Sequence, residues 1–243
     1  MGFAGAEIPQ NMSPIKNSRF LRGEPKIVGA VHSPGSLRCA LRLRPGDVDF
    51  LELRVDHFAG DPSSLLAAVS RLAAPLIVTV RHPREGGALP LDARRRRQLF
   101  HEFLPYANCI DIELRSVAGF AGIISEARAA GVGVIVSDHH FHHTPSARSL
   151  AARAQRAALA RADVFKIAAF TTSPSDVAAL LSLLAKPGPI PLSVMGMGRF
   201  GKVSRLLFAQ AGSVLNYGYL DQANASGQWE ATNLKKRIAE LAG

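Results

Sequence analysis

Eight short apolar runs alternate with amphipathic helical patterns along nearly the whole chain, and few folds accommodate that alternation. The strand candidates are residues 26–31, 49–55, 75–81, 109–114, 132–137, 164–168, 190–195 and 213–217. Between them, apolar residues recur at helical spacing over 62–72, 92–104, 117–130, 147–161, 175–184 and 203–211, with a last helix near 232–241. Asp61 stands where an N-cap is needed for the 62–72 segment. Strand and helix alternating in this way demand a parallel sheet. Eight repeats predict an α/β fold closed into a single (β/α)8 TIM barrel rather than an open doubly wound sheet. No Gly-x-Gly-x-x-Gly follows the first strand, which argues against a dinucleotide fold. A chain of 243 residues with 47% hydrophobic content can bury one full core. Residues 1–24, rich in Pro, Gly and Asn, read as an N-terminal arm, leaving residues 25–243 as the barrel domain.

The formal charge of +10 and the run Arg94-Arg95-Arg96-Arg97 raise a nucleic-acid reading. Leu91, Leu99, Phe100, Phe103 and Leu104 recur around that run at helical spacing, so the arginines are expected to form a solvated helix face. With few interleaved aromatics for base stacking, the charge is expected to draw in an anionic metabolite, not a nucleic acid. Cys39 and Cys109 are too few for a disulfide framework or a zinc site, and a reducing cytoplasm fits them. No apolar run approaches the roughly 20 residues that span a bilayer, so no membrane partner is expected.

Lys166 carries the strongest chemical signal. It stands inside Val164-Phe165-Lys166-Ile167-Ala168-Ala169-Phe170, where a lone ammonium is costly unless paired or neutral. A lysine at a strand end that snorkels to solvent is the bland reading. Enzymes use such an environment to free an amine for attack on a ketone. The histidine cluster Ser137-Asp138-His139-His140-Phe141-His142-His143 closes the preceding strand, so a lysine and a histidine can face one pocket. Glu52, Arg54 and Asp56, Arg81 and Glu85, Asp111 and Glu113, Met195 and Met197, and Arg205 and Gln228 also fall at or beyond the C-terminal ends of strands. Catalytic groups of such barrels gather at that end. Singly, each has a structural alternative: Glu52 and Arg54 could be an ion pair, and Asp111 and Glu113 could cap the barrel floor.

The runs Leu51-Glu52-Leu53-Arg54-Val55-Asp56-His57-Phe58, Thr79-Val80-Arg81 with Glu85-Gly86-Gly87, and Asp111-Ile112-Glu113-Leu114 resemble type I 3-dehydroquinate dehydratase. The His139 and Lys166 segments and their spacing, Met195-x-Met197, Gly201-x-x-Ser204-Arg205, Gly212-Ser213 and Gly227-Gln228 match as well. The resemblance extends from about residue 26 to the C-terminus. It implies dehydration of a cyclic hydroxy keto acid in the shikimate pathway, with no cofactor and no metal, by a cytoplasmic homodimer. Lys166 would form the imine, His139 would act as base and acid, and Glu85 would orient His139. Arg205 and Gln228, joined by Asn224, would hold the substrate carboxylate, while Glu52, Arg54 and Arg81 would bind ring hydroxyls.

Four positions depart from the family pattern. Asn224 and Ser226 replace a serine and a proline in the last loop, Gly29 stands for a serine, and His140 follows the catalytic histidine in place of an aspartate. They bear on lid order and affinity and leave the imine machinery intact. Two other classes remain open: a metal-dependent barrel hydrolase using the clustered histidines, and a paralogous barrel that binds a ligand without turnover.

Overall fold

The computed structural model describes residues 24–186 and 188–242. All but the last residue of the expected arm therefore lies outside the described residues. Eight parallel strands run in the order β7-β6-β5-β4-β3-β2-β1-β8. They are β1 Lys26–Val31, β2 Phe50–Arg54, β3 Leu76–Thr79, β4 Cys109–Glu113, β5 Gly133–His140, β6 Val164–Phe170, β7 Leu192–Met197 and β8 Leu215–Tyr219. The seam between β7 and β8 is bridged by Val214 N–H to Leu192 O at 2.9 Å, Ser193 Oγ to Leu215 O at 2.6 Å and Val194 N–H to Ser213 Oγ at 2.9 Å. The sheet is thereby a nearly closed (β/α)8 barrel.

The helices are α1 Pro34–Ala40, α2 Pro62–Val69, α3 Ala93–Phe103, α4 Ala121–Ala129, α5 Ala147–Leu159, α6 Pro174–Leu184, α7 Gly201–Gln210 and α8 Ala231–Ala242. Asp61 caps α2, accepting from Ser64 N–H with Pro62 in the first turn, as the sequence leads one to expect. The helical spacing missed α1, which is only two turns long. Its start is nevertheless marked by Ser33-Pro34, and Ser33 forms a reciprocal capping box with Ser36.

One expectation for α3 is corrected. Arg94 is exposed, but Arg96 is buried, its guanidinium donating to Val80 O at 2.9 and 2.8 Å and to Glu113 Oε2 at 2.6 Å. Residue 96 lies three and four positions before Leu99 and Phe100, so it shares their inward stripe and reaches the sheet.

Strand periodicity builds the site. One apolar cluster lies inside the barrel and includes Val28, Phe50, Ile77, Cys109, Ile135, Val164 and Leu215. Two residues further along each strand, on the same face, come Ala30, Glu52, Thr79, Asp111, Ser137, Lys166 and Tyr217. Another step of two brings Arg54, Arg81 and His139. The barrel interior therefore changes from apolar floor to charged layer within one strand repeat. The larger apolar cluster, including Leu51, Leu53, Val78, Ile112, Val136 and Phe165, fills the space between sheet and helices.

Candidate active site

Lys166 is buried, with Nζ 2.9 Å from Glu52 Oε1 and 2.9 Å from Asp111 Oδ2. The Tyr217 ring covers the ammonium at 3.8 Å to its centroid. The snorkelling alternative is thus excluded: the charge is satisfied inside the barrel by two carboxylates. Asp111 Oδ1 also accepts from Arg81 Nη1 at 2.9 Å and from the Ser137 hydroxyl. Burial alone would raise the Asp111 carboxyl, yet Arg81 and Lys166 hold it well below the usual carboxylate range. Arg81 bridges further to Glu113 Oε1 at 3.1 Å, and its Nη2 stands 3.7 Å from Glu52. Against its own burial, these carboxylates raise Arg81 well above its ordinary value.

Glu52 and Arg54 do not pair with each other. Arg54 makes a two-toothed bridge to Asp56 at 3.0 and 2.9 Å and donates to Gly86 O at 2.7 Å, while Glu52 turns to Lys166 and accepts from Thr79 Oγ1 at 3.0 Å. Asp56 also accepts from Arg81 N–H at 3.2 Å and Ala88 N–H at 3.0 Å. It therefore ties Arg54 to the loop that carries Glu85.

His139 stands at the end of β5 with Nδ1 3.0 Å from Glu85 Oε2, and its backbone N–H donates to the same oxygen at 3.2 Å. Burial, then the charges of Arg81 and Lys166, holds His139 well below the ordinary histidine value. The ring is accordingly neutral near pH 7, a state suited to a base. Burial pushes Glu85 up to about 8 against the opposing pull of Arg81, with Glu113 and Asp138 adding to the rise. Phe141 stacks beside His139 at 6.3 Å between centroids. His140 turns to Asp138, with Nε2 3.1 Å from Oδ2, a contact shared with Arg153 at 2.7 Å. Among the described residues no group of three or more His, Cys, Asp or Glu is arranged to hold a metal ion.

Arg205, on α7, is buried and donates to Tyr217 O at 2.9 Å and Gly227 O at 3.3 Å. It has no carboxylate partner among the described residues, and burial lowers its guanidinium to about 10. A buried cation left unpaired in this way is able to receive an anion. Above it lies the loop after β8. Gly227, at φ 77°, packs its backbone so closely that a Cβ would stand 2.6 Å from Gly198 O and 2.7 Å from Gly201 Cα. Gln228 Oε1 accepts from Asn224 N–H at 3.0 Å, and Gly198 N–H bonds Ser226 O at 3.1 Å. At the departure in β1, a Cβ on Gly29 would reach Leu220 Cδ2 at 2.9 Å, so the glycine makes room for a leucine of this loop.

All nine sequence-derived site residues line one cavity of about 120 Å³: Glu52, Arg54, Arg81, Glu85, His139, Lys166, Arg205, Asn224 and Gln228. Met195, Met197 and Tyr217 also line it. Sequence reasoning left Asp111 between site and barrel floor and passed over Tyr217. For Asp111, the signal was its strand-face match with Glu52 and Lys166, two residues past the apolar floor.

The comparisons with known proteins agree with this fold. Residues 36–241 match the sequence model described as Type I 3-dehydroquinase. The 3-dehydroquinate dehydratase of Klebsiella pneumoniae is 33% identical, covering 93% of this chain and 97% of its own length. That of Enterococcus faecalis is 32% identical, covering 92% and 95%. The crystal structure of the Geobacillus kaustophilus enzyme superposes with a TM-score of 0.81 at 28% identity, covering 90% of this chain and 91% of that one. The type I enzyme of Clostridium difficile with covalently modified comenic acid gives 0.81 at 26% identity, covering 90% and 93%. From barrel, site and kinship together, the chain is a member of the type I 3-dehydroquinase family.

Proposed function

We propose that this chain dehydrates 3-dehydroquinate to 3-dehydroshikimate through an imine on Lys166. The observation that carries the reading is the buried Lys166 in a cavity that His139, bonded to Glu85, and the unpaired Arg205 also line. The Arg205 guanidinium binds the substrate carboxylate, with Gln228 and Asn224 closing above it. Lys166 gives up a proton to Glu52, the carboxylate not already held by Arg81 and Ser137 at short range, and the free amine attacks the ketone carbon. Loss of water from that adduct leaves a protonated imine, a better electron sink than the ketone. His139 removes the proton on the neighbouring carbon, and the electron pair moves into the imine as an enamine. The enamine then expels the hydroxyl one carbon further, which leaves as water with the proton His139 returns. Hydrolysis of the conjugated imine frees product and lysine, so the net change is loss of one water.

Arg54 and Arg81 offer the rims of their guanidiniums to ring hydroxyls. Both are held rigid by Asp56, Asp111 and Glu113, so ligand binding costs them little ordering. The family resemblance extends the proposal to a homodimer in the cytoplasm, which size-exclusion chromatography with light scattering and cell fractionation test. No helix of the described residues is long and apolar enough to cross a membrane.

The decisive assay is enone absorbance after 3-dehydroquinate is added. Borohydride added with substrate is expected to inactivate the protein and leave an adduct on Lys166, and Lys166→Ala is expected to abolish both effects. Adduct on another residue, or wild-type activity in the alanine variant, overturns the imine mechanism. Tight substrate binding without absorbance change would make the chain a non-catalytic binding barrel.

A further inference from the structure

A second cavity, about 500 Å³, lies between the turn Pro83–Glu85, the start of α3 and the loop after β4. Its wall includes Arg84, Arg96 and Arg115, His82 and a single acidic residue, Asp92. Arg96 is already neutralised by Glu113, and Asp92 is occupied as the N-cap of α3, accepting from Arg95 N–H at 2.7 Å. Arg84 is exposed and has no carboxylate partner among the described residues. Arg115 meets a carboxylate, with Nε 3.1 Å from Glu85 Oε1, and its terminal nitrogens donate no hydrogen bond among the described residues. His82 Nδ1 accepts from Arg84 N–H at 3.0 Å, which in the neutral ring puts the proton on Nε2 and makes that nitrogen a further donor. The wall thus offers the unpaired guanidinium of Arg84, the terminal nitrogens of Arg115 and one imidazole N–H. Such a set suits an oxyanion of more than one negative charge.

Arg115 also connects this cavity to the reaction. Glu85 Oε1 meets Arg115, and Glu85 Oε2 meets His139 Nδ1 at 3.0 Å, so a single carboxylate separates the cavity from the base. We propose that this cavity is a regulatory binding site for a small molecule bearing a dianionic phosphoryl group, and that Arg115 is the positioning residue through which its occupancy reaches His139. A phosphoryl group competes with Glu85 for the Arg115 charge. Once Arg115 is drawn away from Oε1, the Glu85 carboxyl loses the contact that fixes its orientation, and its Oε2 no longer holds the His139 ring in place through Nδ1, so His139 is presented less well to the proton it removes. Arg205, Gln228 and the substrate-binding arginines are untouched. Occupancy is therefore expected to lower kcat and leave KM unchanged. The link to rate rests on the proposed dehydratase reaction; the binding does not.

Inorganic phosphate is the probe, titrated into the whole protein by calorimetry and by 31P line broadening at constant ionic strength set with chloride. Saturable millimolar binding of one phosphate per chain is expected, weakened about tenfold or more by Arg84→Gln and by Arg115→Gln. Arg205→Gln is expected to bind phosphate as the wild type does. In turnover, phosphate should lower wild-type kcat at constant KM, and Arg84→Gln should keep the basal rate and lose the inhibition. Competitive inhibition, or binding lost in Arg205→Gln and retained in Arg84→Gln, would make the catalytic cavity the anion site and overturn the proposal. So would binding that neither Arg84→Gln nor Arg115→Gln weakens, or no binding above the chloride background. A protein that binds phosphate through Arg84 but turns over no 3-dehydroquinate would uphold the site and remove the proposed function.

Discussion

At the scale of single residues, the site separates a base from an acid cluster by environment. His139 is depressed by burial and by Arg81 and Lys166, whereas Asp111 is held ionised by the same two cations. A base is active when unprotonated, and a lowered pKa moves its proton-bound form to more acidic pH. The acid limb of kcat/KM is therefore expected below the ordinary histidine value of about 6.5, and a limb above 7 would contradict the electrostatics. His139→Ala should still trap the imine, while elimination falls by a factor on the order of 10² to 10⁴. Mass spectrometry then finds adduct without turnover. If His140→Ala or His143→Ala shows the same loss, His139 is the wrong base. Asp111→Asn leaves Arg81 and Lys166 short of a buried counter-charge and is expected to cost about 3–5 kcal/mol of stability. Urea unfolding checks this, and an unchanged midpoint would mean that the network tolerates the missing charge.

At the scale of elements, the loop after β8 is the part on which the proposed ligand binding is expected to depend most. Its packing turns on Gly227, whose positive φ and close approach to Gly198 and Gly201 leave no room for a side chain. Gly227→Ala is expected to lift the loop, release the Arg205 to Gly227 bond and raise KM at least about tenfold while kcat falls less, because Lys166 and His139 lie on strands the loop does not support. Equal KM in variant and wild type would show that the loop is no lid. The strands are the opposite case. Glu52 and Lys166 sit on β2 and β6, rigid elements of one sheet, and the proposed imine chemistry would be held there.

At the scale of the whole molecule, barrel closure depends on few bonds. The β7–β8 seam uses two serine hydroxyls where other neighbouring strands use ladders, and Ser213 is fully buried there. Ser213→Ala would leave Val194 N–H without its acceptor and is expected to cost about 1–3 kcal/mol in urea midpoint, with kcat and KM unchanged. A neutral effect would show that the backbone bond from Val214 carries the seam alone.

How much of this was readable before folding follows from the range over which each feature acts. Alternating strand and helix patterns act within about ten residues, so the eight-fold barrel could be read from local sequence. The nine site residues were legible because a parallel barrel sends every strand end to the same face, and because their motifs resemble one family. The continuous apolar run around it also placed Lys166 on a buried strand. What surrounds its ammonium is a different matter: Glu52 and Asp111 lie on β2 and β4, and only closure of the sheet brings both to β6. Arg81 stands at the barrel mouth as expected, but its charge is taken up by Asp111 and Glu113 of the neighbouring strand β4. Arg96 likewise reads as surface in a run of four arginines until α3 docks and turns it toward Glu113. Sequence alone therefore determined the architecture and the chemical groups at the barrel mouth, because period and strand direction are local properties. Which charge neutralises which was decided only in the tertiary structure, because ion pairing depends on distances between strands that are far apart in the chain.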